Sequence, residues 1–207
     1  LDAILALSRI GTQRTLTDAL SEPIRGYPIE AFSFPSGGLA ELFSASSAQL
    51  SLEADLAREN AAYRYRVNVE IAPGSGALAV ADEYLTALGK DGSPKGTAAI
   101  EQVDGKLRVR HKGDAGKPLY ESLRQNYAIL SDPLLGTPLH RAIEDARSEI
   151  SGWRTYYLDP RVAMRAAQPP SDVRDIGVLG GEIAPFLYRL GSEHTKCFEA
   201  VARTLRS

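Results

Sequence analysis

Apolar positions open the chain at helical spacing. Leu1, Ile4 and Leu5, with Ser8, fall on one face of a 3.6-residue repeat, which predicts a helix over Leu1 to Ile10 ending near Gly11. A second short helix is expected from Thr15 to Ser21, stopped by Pro23. Residues 26–38 are rich in Pro, Gly and Ser and read as loop, and Leu39 to Phe43 as one more helical turn. Then the period changes to two. Ala48, Leu50, Leu52, Ala54 and Leu56 alternate with polar residues, and Tyr63, Tyr65, Val67, Val69 and Ile71 do the same. Strict alternation over this length predicts antiparallel strands with one face on a core. A turn at residues 73–76 leads to a third strand over Ala77 to Leu88, and residues 89–96 form a turn cluster. Ile100 to Val103 and Lys106 to His111 flank Asp104-Gly105, a two-residue hairpin signal. About five strands in one antiparallel sheet follow from this pattern.

Helical periodicity returns near Leu119. Thr137-Pro138 reads as an N-cap with proline in the first turn. Leu139, Ala142, Ile143, Ala146 and Ile150 form its apolar stripe, and Gly152 ends it. Trp153 to Leu158 is aromatic and β-favouring and predicts a strand closed by Asp159-Pro160. Residues 166–180 read as loop. Two helices are expected at the end, Ile183 to Leu190 and Glu193 to Leu205.

Composition narrows the function classes. The chain has 207 residues, of which 43% are hydrophobic, enough for a sizeable core. Its net charge of −2 gives no global support to binding a phosphate backbone. The lone cysteine, Cys197, excludes an intrachain disulfide, and three histidines add too little for a Cys/His metal framework. No signal peptide or membrane-length apolar run is visible, and a cytoplasmic location is expected. The first helix starts without an N-cap and the last stops within its pattern, so both ends read as cuts from a longer protein.

Several stretches carry a resemblance. Leu1-Asp2-Ala3-Ile4-Leu5 opens the first helix, Tyr63-Arg64-Tyr65 lies on a strand, and Trp153-Arg154-Thr155-Tyr156-Tyr157-Leu158-Asp159-Pro160-Arg161 is followed by Arg165. Leu179-Gly180-Gly181 then steps into a helix carrying Phe186-Leu187-Tyr188-Arg189-Leu190. In this order the chain resembles the middle of the AAA-family predicted ATPases, whose P-loop head is built like those of RecF, SMC and ABC proteins. An asparagine common in the last stretch of that family is missing here. No G-x-x-x-x-G-K-[ST], signature motif or Asp-Glu strand end occurs within the chain.

The resemblance implies an α/β fold: part of an ABC/RecF-like P-loop head with an antiparallel β-subdomain followed by helical segments. Residues 1–45 would be the post-P-loop helix and loops, 46–113 the β-subdomain, 114–165 a helix plus a core strand, and 166–207 the start of the helical lobe. It implies ATP and Mg²⁺ as cofactors of the intact parent, with neither held tightly by this piece alone. It also implies a second head as homodimeric partner, DNA as a further partner in related families, and no membrane. Asp159, Arg161 and Arg165 would occupy the region where ABC-type ATPases place a glutamine that senses Mg²⁺ and the attacking water. That glutamine role does not carry over, and no catalytic residue is assigned.

Each of these residues also has a plainer reading. Asp159 before proline is a turn former, and Arg161 and Arg165, four apart, fit a solvated helical face. Trp153, Tyr156 and Tyr157 fit a core beside a sheet as well as a base-stacking surface. Arg64, Arg66, Arg108, Arg110 and Lys112 fit either a solvated strand face or a cationic one. His140 and His194 read as surface or boundary residues, and Gly180-Gly181 as a turn into a helix. The alternative function is a non-enzymatic module that binds protein or nucleic acid through the sheet.

Overall fold

The computed structural model describes residues 2–22, 32, 36, 41, 44, 48–58, 61–72, 74–110, 117–135, 140–169 and 171–205. These fall into two compact units, 1–153 and 154–207.

The first unit is built on a six-stranded antiparallel meander, so the architecture is mixed α/β. Its strands are β1 (Ala48–Arg58), β2 (Ala61–Ile71), β3 (Leu78–Leu88), β4 (Pro94–Val103), β5 (Lys106–Val109) and β6 (Leu119–Ser122), adjacent in chain order. The alternation in β1 and β2 sets the register. Leu50 faces Val69, Leu52 faces Val67 and Leu56 faces Tyr63. One face therefore carries Leu50, Leu56, Tyr65, Val67, Leu85, Ile100, Leu107 and Val109 into a single core. At the β4–β5 turn Asp104 and Gly105 both take positive φ (50° and 73°), as a tight hairpin matching the strand twist requires.

Three helices supply the other half of that core: α1 (Asp2–Ile10), α2 (Leu16–Ser21) and α3 (Arg141–Gly152). Helix α1 buries Ala6, Leu7 and Ile10, and α3 buries Ile143, Ala146 and Ile150, at the spacing of a single helical face. The Ser8 hydroxyl donates to the Ile150 carbonyl (3.2 Å) and ties α1 to α3. The six-residue α2 is too short to hold itself. Thr15 caps it, its Oγ1 accepting from the Asp18 amide at 3.0 Å. Thr15→Ala is therefore expected to cost about 1 kcal/mol of stability, read from the midpoint of a urea titration.

The second unit contains helices α4 (Ile183–Glu193) and α5 (Thr195–Thr204), preceded by irregular chain. No helix among the described residues is long and apolar enough to cross a membrane.

The structure departs from the sequence pattern in several places. Leu119–Ser122 is a strand, β6, rather than the start of a helix: its register with β5, from Lys106↔Ser122 to Val109↔Leu119, overrides local preference. Strand β4 begins at Pro94, inside the expected turn cluster, and Gly96 at φ 74° lets the backbone pass. The strand expected at Trp153–Leu158 is absent. The chain leaves α3 at an extended Trp153, and the Tyr157 and Asp159 amides donate to the Val178 and Leu179 carbonyls without the reciprocal bonds that would complete a ladder. Thr137-Pro138, His111 and Lys112 lie outside the described residues, as does the turn expected at Leu39 to Phe43 except for Glu41.

Candidate functional site

In the second unit the two stretches that carry the resemblance are hydrogen-bonded to each other. The Tyr157 amide donates to the Val178 carbonyl (2.7 Å) and the Asp159 amide to that of Leu179 (3.0 Å). Tyr156 adds a side-chain tie, its hydroxyl donating to Asp175 Oδ2 at 2.7 Å, with Arg154 Nε 3.9 Å from the same oxygen. Asp175 Oδ1 in turn accepts from the Gly177 amide. Between these ties sits Gly180, buried and at φ 77°. A β-carbon there would lie 2.9 Å from Met164 Cγ and 3.1 Å from Leu158 Cδ2, so only glycine fits.

Asp159 builds the turn that follows. Its Oδ1 accepts from the Arg161 amide (3.0 Å) and the Val162 amide (3.1 Å), and its carbonyl accepts from the Met164 amide. The Val162 and Arg161 amides hold its carboxyl below the usual aspartate range. This is the turn-forming role of an Asp before proline. Arg161 and Arg165 are both exposed. The turn thus brings Asp159, Arg161 and Arg165 into one short stretch, with the carboxylate committed to backbone and the cations turned to solvent. Exposed guanidinium groups suit phosphate oxygens. Among the described residues no group of three or more His, Cys, Asp or Glu is placed to hold a metal ion. The Gly180-Gly181 step is a turn as well, since the Gly180, Glu182 and Ile183 amides are already bonded to Gly177, Ile176 and Gly180 carbonyls.

The other sequence candidates separate. Tyr156 and Tyr157 are 40% and 43% exposed rather than core residues, whereas Trp153 packs against the first unit's core. His140 is buried, against the surface or boundary position expected for it, and His194 is exposed. The sheet arginines are paired across strands: Arg64 with Asp55 (2.7 Å), Arg66 with Asp82 (3.0 Å), and both Arg108 and Arg110 with Glu101. Each is held against a carboxylate, Arg108 and Arg110 sharing Glu101, so this face is not a bare cationic surface.

One group the sequence reading missed is Glu83, fully buried on β3. Its carboxylate accepts from the Tyr65 hydroxyl (3.0 Å) and from the amides of Ile129 (2.7 Å) and Leu130 (2.9 Å). Burial outweighs those donors and pushes its carboxyl up to about 7. Glu83 faces inward because β3 carries an extra residue: Asn68 pairs with Asp82 but Val69 pairs with Val80. The available signal was Val80 and Leu85, both apolar and five apart, a spacing that an unbroken period of two cannot put on one face.

Comparison with protein-family models, with curated proteins and with solved structures finds no match.

Proposed function

We propose that this chain is an internal part of the head of a P-loop ATPase of the RecF/SMC-like kind, whose parent couples ATP turnover to a change in shape. The observation that carries the reading is the pairing of Tyr157 and Asp159 with Val178 and Leu179. The two motif-bearing stretches, separate in sequence, make one structural element around Gly180, which supports reading them as parts of one design. The antiparallel sheet with α1 and α3 on one face is consistent with a β-subdomain of such a head. In this reading α1 follows the phosphate cradle, and its N-terminal end favours negative charge. ATP and Mg²⁺ would be held chiefly by residues outside this chain, with Arg161 and Arg165 offering charge toward phosphate or a partner head. The bound nucleotide would supply the phosphoryl group. This chain's share is to position the Asp159 turn and present those two cations. The rival reading, a cationic sheet face for nucleic acid, draws no support from arginines already paired with Asp55, Asp82 and Glu101.

Two measurements test the proposal. The coding sequence upstream of Leu1 should encode a glycine-rich run ending in Lys-Ser or Lys-Thr. The 207-residue chain should release no phosphate from Mg-ATP above a blank, while a longer chain including that run should turn ATP over and lose activity when its lysine becomes alanine. Turnover by the 207-residue chain itself, or an upstream sequence with no such run, defeats the reading.

A further inference from the structure

The segment Leu123–Leu135 is a strap held against the first unit's core from both ends of one short turn. Its first residues pair with the irregular point of β3: the Arg124 amide donates to the Val80 carbonyl, and the Val80 amide to that of Gln125. The Leu16 amide then donates to the Asn126 carbonyl (2.6 Å), which fastens α2 to the strap. Next comes a single helical turn, Ile129–Ser131, with buried Ile129 and Leu130. The Ser131 and Asp132 amides close onto the Ala128 and Ile129 carbonyls, which leaves the Ile129 and Leu130 amides and the Leu130 carbonyl to find partners outside the turn. Glu83 takes the Ile129 and Leu130 amides. Arg147 of α3 takes the other end, its Nε donating to the Leu130 carbonyl and its Nη2 to the Asp132 carbonyl, each at 2.6 Å. A hydrogen-bond acceptor at the amide end and a cation at the carbonyl end thus hold the turn from both sides.

We propose that Glu83 and Arg147 form a two-ended latch on this strap, and that loss of the proton from Glu83 opens the strap locally while the sheet stays folded. The inference is independent of the ATPase reading. Its basis is that Glu83 is a fully buried carboxyl whose interactions include no cation. The titratable groups acting on it are the Tyr65 hydroxyl from β2, Asp82 on β3 itself, and Tyr127 on the strap. Arg147 from α3 is spent on the carbonyls of the turn, and the charged residue of α2, Asp18, is exposed. Asp82 raises Glu83 further, and Tyr65, itself pushed well up by burial, stays protonated. When Glu83 ionises, its proton leaves to water and a bare carboxylate remains in the interior. Lifting the strap lets water reach that charge. The folded carboxyl titrates near 7 and an open one near the ordinary 4.5, so the closed state is favoured fully below the lower value and loses this advantage as pH rises through the higher.

Native-state amide exchange on the 207-residue chain, corrected for intrinsic rates, tests this. The opening constants of the Ile129 and Leu130 amides should rise about tenfold between pH 6 and pH 8, while β1–β2 amides such as Val67 show no matching rise. Glu83→Gln, which cannot ionise and keeps one acceptor oxygen on the strap, should abolish the pH dependence. Strap amides that stay flat with pH, or that open only together with the sheet amides, overturn the latch. A slope that survives in Glu83→Gln overturns the assignment to this residue. Should that variant not fold, Tyr65→Phe removes one donor to the charged form and should move the midpoint upward; an unmoved midpoint also overturns it.

Discussion

Glu83→Ala lowers the unfolding free energy of the first unit by roughly 3–5 kcal/mol in a urea titration, the largest effect expected of any single substitution in the polar interior. The size follows from what is left behind. Removing the carboxylate strands the Ile129 and Leu130 amides and the Tyr65 hydroxyl, all at buried positions where water does not replace the lost acceptor. Each stranded donor costs about 1–3 kcal/mol, and the missing side-chain volume adds a cavity cost. Some of this is returned because the cost of burying the polar carboxyl disappears, which is why the expected figure sits below the plain sum. Glu83→Gln is the comparison. Its one carbonyl oxygen can still accept from one strap amide while its NH2 group faces the other, so the loss should be about 1–3 kcal/mol. A Glu83→Ala variant as stable as Glu83→Gln would mean that the strap amides find other partners and that Glu83 is not what holds them.

The same residue marks the limit of what the sequence pattern reveals. From Ala48 to Leu56 and from Tyr63 to Ile71 apolar and polar residues alternate, and a period of two fixes which side chains face the core; Leu50, Tyr65 and Val67 are buried as that rule requires. The positive-φ turn at Asp104-Gly105 is equally local, since the chemistry that makes it lies in those two residues. Helices α1, α2 and α3 are legible for a related reason, because each carries its apolar stripe within one or three turns. Strand β3 is different. Whether Asp82 or Glu83 points inward depends on one extra residue opposite Asn68 and Val69, and that choice is made by the partner strand. Strand β6 is four residues long and owes its conformation to β5. At the Asp159 turn, the sequence places Asp159, Arg161 and Arg165 close together, and the structure adds the carboxylate's commitment to backbone amides. The contact of Leu158 and Met164 with Gly180, by contrast, links residues up to 22 apart in number and has no local signature.

That contact sets the second large effect. Gly180→Ala is expected to destabilise the element joining Tyr157–Asp159 to Val178–Leu179 by roughly 2–4 kcal/mol. Two separate costs add. At φ 77° any L-residue is held in the left-handed region, which costs about 1–2 kcal/mol. The new β-carbon would also sit 2.9 Å from Met164 Cγ and 3.1 Å from Leu158 Cδ2, so either the side chains or the backbone must shift, a further overpacking cost of about 1–2 kcal/mol. Gly177 separates the two contributions. It too has positive φ, 73°, but a β-carbon there would meet only Glu182 Cγ at an ordinary 3.8 Å. Gly177→Ala should therefore show the backbone cost alone. The readout is exchange of the Tyr157 and Asp159 amides, whose acceptors are the Val178 and Leu179 carbonyls. Gly180→Ala should speed their exchange by roughly 30- to 1000-fold and Gly177→Ala by roughly 5- to 30-fold. Equal effects would show that Leu158 and Met164 yield freely, and that the packing around Gly180 does not hold the two motif-bearing stretches together.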